Sequence, residues 1–140
     1  MALTVTIPKC DSAINQTLVP SAAYTASDTA GPWPCDFFSS EEITVAVTSC
    51  SGTLNVYVQK LLGDDSTYDD IAAFSQYSNA TGTKILSFVN GGNTLNTQAA
   101  AALAAGTVNT VHFGSKQRIN FVIAGASATV TFGVFGNFRA

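Results

Sequence analysis

Four aspartates fall within seven residues: Asp64, Asp65, Asp69 and Asp70. Clustered carboxylates supply the hard oxygen ligands that Ca²⁺ prefers. The EF-hand spacing is absent, because no glycine stands at its sixth position and no glutamate closes the loop. Paired carboxylates also serve glycoside hydrolysis, but that chemistry needs a cleft with aromatic platforms around it. A solvated turn between two strands accounts for the same residues without a ligand. The four are therefore weak calcium candidates, and no metal or other cofactor is expected. His112, the only histidine, lies between Val111 and Phe113 in an apparent strand. No G-x-S-x-G elbow exists, and no catalytic motif surrounds Cys10, Cys35 or Cys50. Gly91-Gly92 lacks the Lys-Ser/Thr of a phosphate loop. No catalytic residue is assigned, and a non-enzymatic role is expected. The three cysteines form no C-x-x-C pair and read as reduced, mostly buried thiols, with a single disulfide as the alternative.

Aromatic residues offer binding rather than catalysis. Trp33, Tyr68 and Tyr77 fall in loops or at strand ends, where a sugar-binding platform would place them. Tyr24, Trp33, Phe37 and Phe38 are candidate anchors of a protein interface, since aromatics dominate interface hot spots. Charged residues make up 11% of the chain, against a norm of about 25%. Depletion of charge marks buried contact surface and favours the interface. A net charge of −3 with six Lys and Arg argues against nucleic acid. No apolar run approaches the ~18–20 residues of a membrane span.

These residues must be positioned by strands. Ile43, Val45 and Val47 alternate with polar or small neighbours, as do Leu54, Val56 and Val58. Ile119, Phe121 and Ile123, and then Val130, Phe132 and Val134, repeat the pattern. Each run predicts a strand with one buried face. Phe135 falls on the face opposite Phe132 and Val134 and needs cover of its own. Weaker runs are Leu3–Ile7, Ala72–Gln76, Lys84–Val89 and Val108–Phe113. Turns are expected at 49–52, 62–67, 79–83, 90–93 and 125–127. Thr97–Gly106, rich in alanine, predicts one short helix. Residues 8–40 carry four prolines, two of them in Ala30-Gly31-Pro32-Trp33-Pro34-Cys35, and predict an extended arm or long loop. The whole, residues 1–140, reads as a single all-β domain. It is an antiparallel β-sandwich or jelly-roll of about eight strands, with one short helix and an extended N-terminal arm.

Two stretches carry a resemblance. Thr53–Gln76 is similar to a strand of the type L-x-V-x-V-Q leading into a hairpin of the type D-G-x-T-W-D-D-I-x-x-F. Arg118–Phe132 resembles the strand pair R-x-x-x-V-x-G-x-S-P-x-x-T-F. Both patterns occur in small structural proteins of tailed bacteriophages. The likeness covers residues 43–89 and 117–138, with Tyr68 where Trp is frequent and Ala128 where Pro is. It implies a virion component, foremost a capsid decoration (cement) protein on the capsid surface, synthesised in the host bacterial cytoplasm. Its partners would be itself, as a homotrimer, and the major capsid protein, with no nucleic acid and no membrane. A tail, neck or fibre-associated sandwich is one alternative. A carbohydrate-binding module is another.

Overall fold

The computed structural model describes residues 2–7, 13–91, 104–108 and 113–140. Its strands are β1 (Ala13–Tyr24), β2 (Asp28–Pro34), β3 (Ser40–Leu61), β4 (Tyr68–Ala73), β5 (Tyr77–Ser78), β6 (Gly82–Val89), β7 (Thr107–Val108) and β8 (Lys116–Arg139). All named strands pair antiparallel in one hydrogen-bonded sheet.

Two strands organise everything else. β3 and β8 run beside each other from Ser40↔Arg139 to Lys60↔Gln117. Both bend midway, where the register slips between Val47 and Ser49 and again between Ser51 and Thr53. On one side of the bend, β1 and β6 flank the pair and make the order β1-β8-β3-β6. On the other side, β2 flanks β8, while β4 and β5 flank β3. The single sheet thus folds over into two layers of an antiparallel β-sandwich.

The bend has a steric cause. Gly52 has φ +99°, and a Cβ there would lie 2.6 Å from the Ala124 carbonyl oxygen and 2.7 Å from the Ala128 Cβ. Only glycine takes this conformation without strain and admits so close an approach. Gly125 (φ +124°) and Ser127 (φ 54°) turn β8 at the same place. The turns expected at 49–52 and 125–127 are therefore bends inside continuous strands.

Strand parity fills the interior. Ile43, Val45, Val47, Leu54, Val56, Val58, Ile119, Phe121, Val130, Phe132 and Val134 are all buried. Phe121 and Phe132 meet edge-on across the two layers at 5.1 Å, and Tyr24 packs on both, 5.4 and 5.1 Å away. Each such side chain contributes roughly 1.5–3 kcal/mol when fully buried. Tyr77 ties the layers further, its hydroxyl donating to the carbonyls of Val45 and Gly82 at 3.2 Å.

Two sequence expectations change. Most of the expected arm, residues 8–40, is sheet: β1 and β2 both pair with β8. Proline removes a ladder donor but is tolerated on edge strands and at bulges. Both strands are of that kind. Pro20 lies inside the irregularity between Val19 and Ala22, and Pro32 inside that between Ala30 and Trp33. Leu3 then forms a parallel bridge with Ala30, so the edge of β2 is partly covered, and Val5 and Ile7 are buried behind it. Residues 97–103 of the expected helix, Cys10, His112 and most of the expected Val108–Phe113 strand lie outside the described residues. Ala105 and Gly106 turn into β7, with the Gly106 N–H donating to the Ala73 carbonyl at 2.8 Å.

Candidate functional site

The outer face of the β1-β8-β3-β6 layer carries rows of residues that register places side by side. One row reads Asn15, Asn137, Glu42, Ser87 across the four strands. The next, two residues along, reads Thr17, Phe135, Thr44, Ile85. A third adds Arg139, Ser40 and Val89. Opposed side chains on one sheet face are about 4.5–5.5 Å apart at Cβ and act as a unit.

Hydrogen bonds link the first row. Asn137 Nδ2 donates to Asn15 Oδ1 at 2.6 Å, and Arg139 Nε donates to Asn137 Oδ1 at 3.4 Å. The Ser87 hydroxyl donates to Glu42 Oε2 at 3.3 Å. Glu42 and Arg139 line one groove of about 560 Å³ with Asn15, Ser40, Glu41, Ser87, Val89 and Asn137. A second hollow of about 250 Å³ continues it over Thr17, Thr44 and Phe135. Among the described residues the carboxylate and the guanidinium do not bond each other, so both charges remain available. Phe135 forms the apolar floor. Its ring lies over Gly133, where a Cβ would come within 2.9 Å of it. Ile85 and Val89, 55% and 51% exposed, flank the polar row on β6.

The opposite outer face is closed by its own side chains. Arg118 lies 3.7 Å over the Tyr68 ring and donates from Nε to Gln59 Oε1 at 2.8 Å. Gln59 in turn donates to Asp70 Oδ1 at 2.8 Å. These contacts span β8, β3 and β4 and engage the Arg118, Gln59 and Asp70 side chains with one another.

The sequence-derived candidates are dispersed. Trp33 and Phe38 are 0% and 2% exposed and belong to the core, not to an interface. Trp33 lies on β2, a strand of the sandwich rather than an arm, and Phe38, just beyond it, packs on Phe138 at 5.0 Å. Tyr24 is half-buried against Phe121 and Phe132, and its hydroxyl donates to the Pro20 carbonyl at 2.7 Å. Phe37 packs on Phe38 at 4.4 Å. The sugar platform does not assemble either: Tyr77 is buried, and the Tyr68 ring is covered by Arg118.

The acidic loop closes on itself. Asp64 accepts from the N–H groups of Ser66 and Thr67 and from the Thr67 hydroxyl, which holds its carboxyl below the usual range. Asp69 and Asp70 are successive residues of β4 and point to opposite faces. The four carboxylates do not converge, and no metal-holding group of three or more His, Cys, Asp or Glu occurs among the described residues. Cys35 and Cys50 are free thiols. Burial, and then the nearby charges of Glu41 and Asp36, push the Cys35 thiol up beyond its ordinary range.

The groove residues were missed by sequence reading. Their signal is the polar half of each alternation, at Asn15, Glu42, Ser87 and Asn137. Alternation shows that these residues face outward; only the register shows that they share a row.

No protein-family model and no curated protein matches the sequence. Among solved structures, the chain aligns with PliG of Aeromonas hydrophila, a periplasmic inhibitor of g-type lysozyme, at 13% identity and a TM-score of 0.40, over 99% of this chain and 97% of that one. The expectation of a phage capsid decoration protein, with its tail, neck and fibre variants, is corrected by the fold, which removes its physical basis: the reaching arm is sheet and two of its aromatic anchors are core. The carbohydrate-module alternative loses its platform in the same way.

Proposed function

We propose that the chain is a non-catalytic binding module that engages a partner protein through the outer face of the β1-β8-β3-β6 layer. The observation that carries this reading is the groove itself. It holds a carboxylate and a guanidinium that do not neutralise each other, between a hydrogen-bonding row and exposed Ile85 and Val89. Mixed polar, apolar and arginine character is typical of protein interfaces. Four strands about 4.8 Å apart and some eight residues long present roughly 500 Å². A stable interface covers about 800 Å² on each partner. The flat face alone therefore supports transient binding, and the partner gains area by inserting a protruding segment into the groove.

A photo-crosslinking amino acid placed at Ser87 or Thr44 tests this in cells that make the protein. A discrete protein adduct is expected from those positions, absent when the probe stands at Asn120, and diminished by Glu42→Ala or Arg139→Ala. Adducts from Asn120 alone, or adducts indifferent to Glu42 and Arg139, would overturn the proposal.

A further inference from the structure

Glu41 adjoins Glu42 in sequence but points inward by strand parity and is 2% exposed. Gln117 and Trp33 are 0% exposed. Five of their side-chain atoms, Trp33 Nε1, Glu41 Oε1 and Oε2, and Gln117 Nε2 and Oε1, have no hydrogen-bond partner in the protein. Buried polar groups are bonded in the great majority of cases, and each exception needs a reason.

The three residues meet at one end of the interior. Trp33 and Gln117 are direct cross-strand partners on β2 and β8. Glu41 approaches from the other layer, near enough for the Gln117 amide to act on its carboxyl. Phe138 is the cross-strand partner of Glu41, and its ring lies 6.0 Å from that of Trp33. Cys35 is also close but directs its Sγ to the carbonyls of Phe113 and Gly114, at 3.5 and 3.4 Å. It supplies no partner to the cluster.

We propose that this point is an internal water site, where the Glu41 carboxyl, the Gln117 amide and the Trp33 indole N–H hold one or two ordered waters between the layers. The donor and acceptor inventory selects the ligand. The indole N–H and the amide NH₂ donate, whereas the amide oxygen and the carboxyl accept. A bare cation would face N–H donors, and an anion would face a carboxyl group. Water both donates and accepts, and buried water satisfies groups of this kind with about three bonds. Burial also favours the uncharged carboxylic acid: desolvation pushes Glu41 up to about 8, against the opposing pull of the nearby Gln117 amide, which lies outside hydrogen-bond geometry. The charged or titratable groups placed near the cluster are Cys35 and, beyond it, Asp36.

A crystal structure that resolves ordered solvent tests the site. A water peak is expected about 2.7–3.2 Å from the Glu41 carboxyl and from Gln117 Oε1 or Nε2, or Trp33 Nε1. In Glu41→Leu that peak should vanish. Infrared difference spectra of the wild type against Glu41→Gln give an independent reading that does not require the leucine variant to fold. A carboxylic-acid carbonyl band at pH 7 is expected in the wild type and absent from Glu41→Gln. A direct Glu41–Gln117 bond with no solvent peak between the layers, or a carboxylate band alone, would overturn the proposal.

Discussion

The two outer faces of the sandwich are carried by the same two strands, β3 and β8, and differ in how their polar side chains are spent. Beyond the bend, Tyr68, Arg118, Gln59 and Asp70 bond to one another across three strands. Before it, Asn15, Asn137, Glu42 and Ser87 form a row whose carboxylate and nearby guanidinium do not meet. The first arrangement stabilises the sheet, and the second leaves recognition chemistry on its surface. Similar residue types thus serve stability or binding according to which neighbours the register supplies.

The bend separates the faces, so breaking it should have the largest effect. Gly52→Val places side-chain atoms where the Ala124 carbonyl and Ala128 Cβ stand 2.6 and 2.7 Å away. We expect a loss of more than about 3 kcal/mol in urea unfolding, or failure to fold. Both faces would be lost together.

The adjacent glutamates sharpen the comparison through pH. Glu42 is exposed at the groove, whereas Glu41 is buried with its carboxyl raised from 4.5 to about 8. An acid raised on folding holds its proton more tightly in the native state. Its contribution to stability is therefore complete below about pH 4.5 and is lost as pH rises through about 8. Thermal melts should show stability falling by a few kcal/mol over that window, and Glu41→Gln should flatten the fall. Glu42→Gln should leave it in place.

Smaller effects distinguish the faces from each other. Arg118→Ala removes a bond to Gln59 and the cover over Tyr68. We expect a loss of about 1–2 kcal/mol in stability, with partner binding unchanged. Glu42→Ala should move stability by less than about 0.5 kcal/mol in the same unfolding assay, because the residue is exposed and holds one long hydrogen bond. Its effect should fall on binding, with a loss of about tenfold or more by titration.

The sandwich was legible in the sequence wherever alternation was strict. Ile43, Val45 and Val47, Leu54, Val56 and Val58, and Val130, Phe132 and Val134 are buried as their spacing requires. Two features were not legible. Pro20, Pro32 and Pro34 read as breaks because proline weakens a ladder, yet edge strands with bulges accommodate them, and whether a strand is an edge is decided by tertiary pairing. Ser49–Gly52 and Gly125–Ser127 read as turns between separate strands, because glycine and serine mark reversals and bends alike. The groove was hidden for a related reason. Asn15 and Asn137 are 122 residues apart in the chain and adjacent in the sheet, and no local pattern records that pairing.

Single charge reversals on each face, titrated against the partner identified by crosslinking, test the central claim most directly. Glu42→Arg should weaken binding by about thirtyfold or more, the scale of a hot-spot residue. Arg118→Glu should leave binding within about twofold, whatever it costs in stability. Loss of binding on Arg118→Glu with Glu42→Arg unaffected would place recognition on the other face and contradict the assignment of the groove.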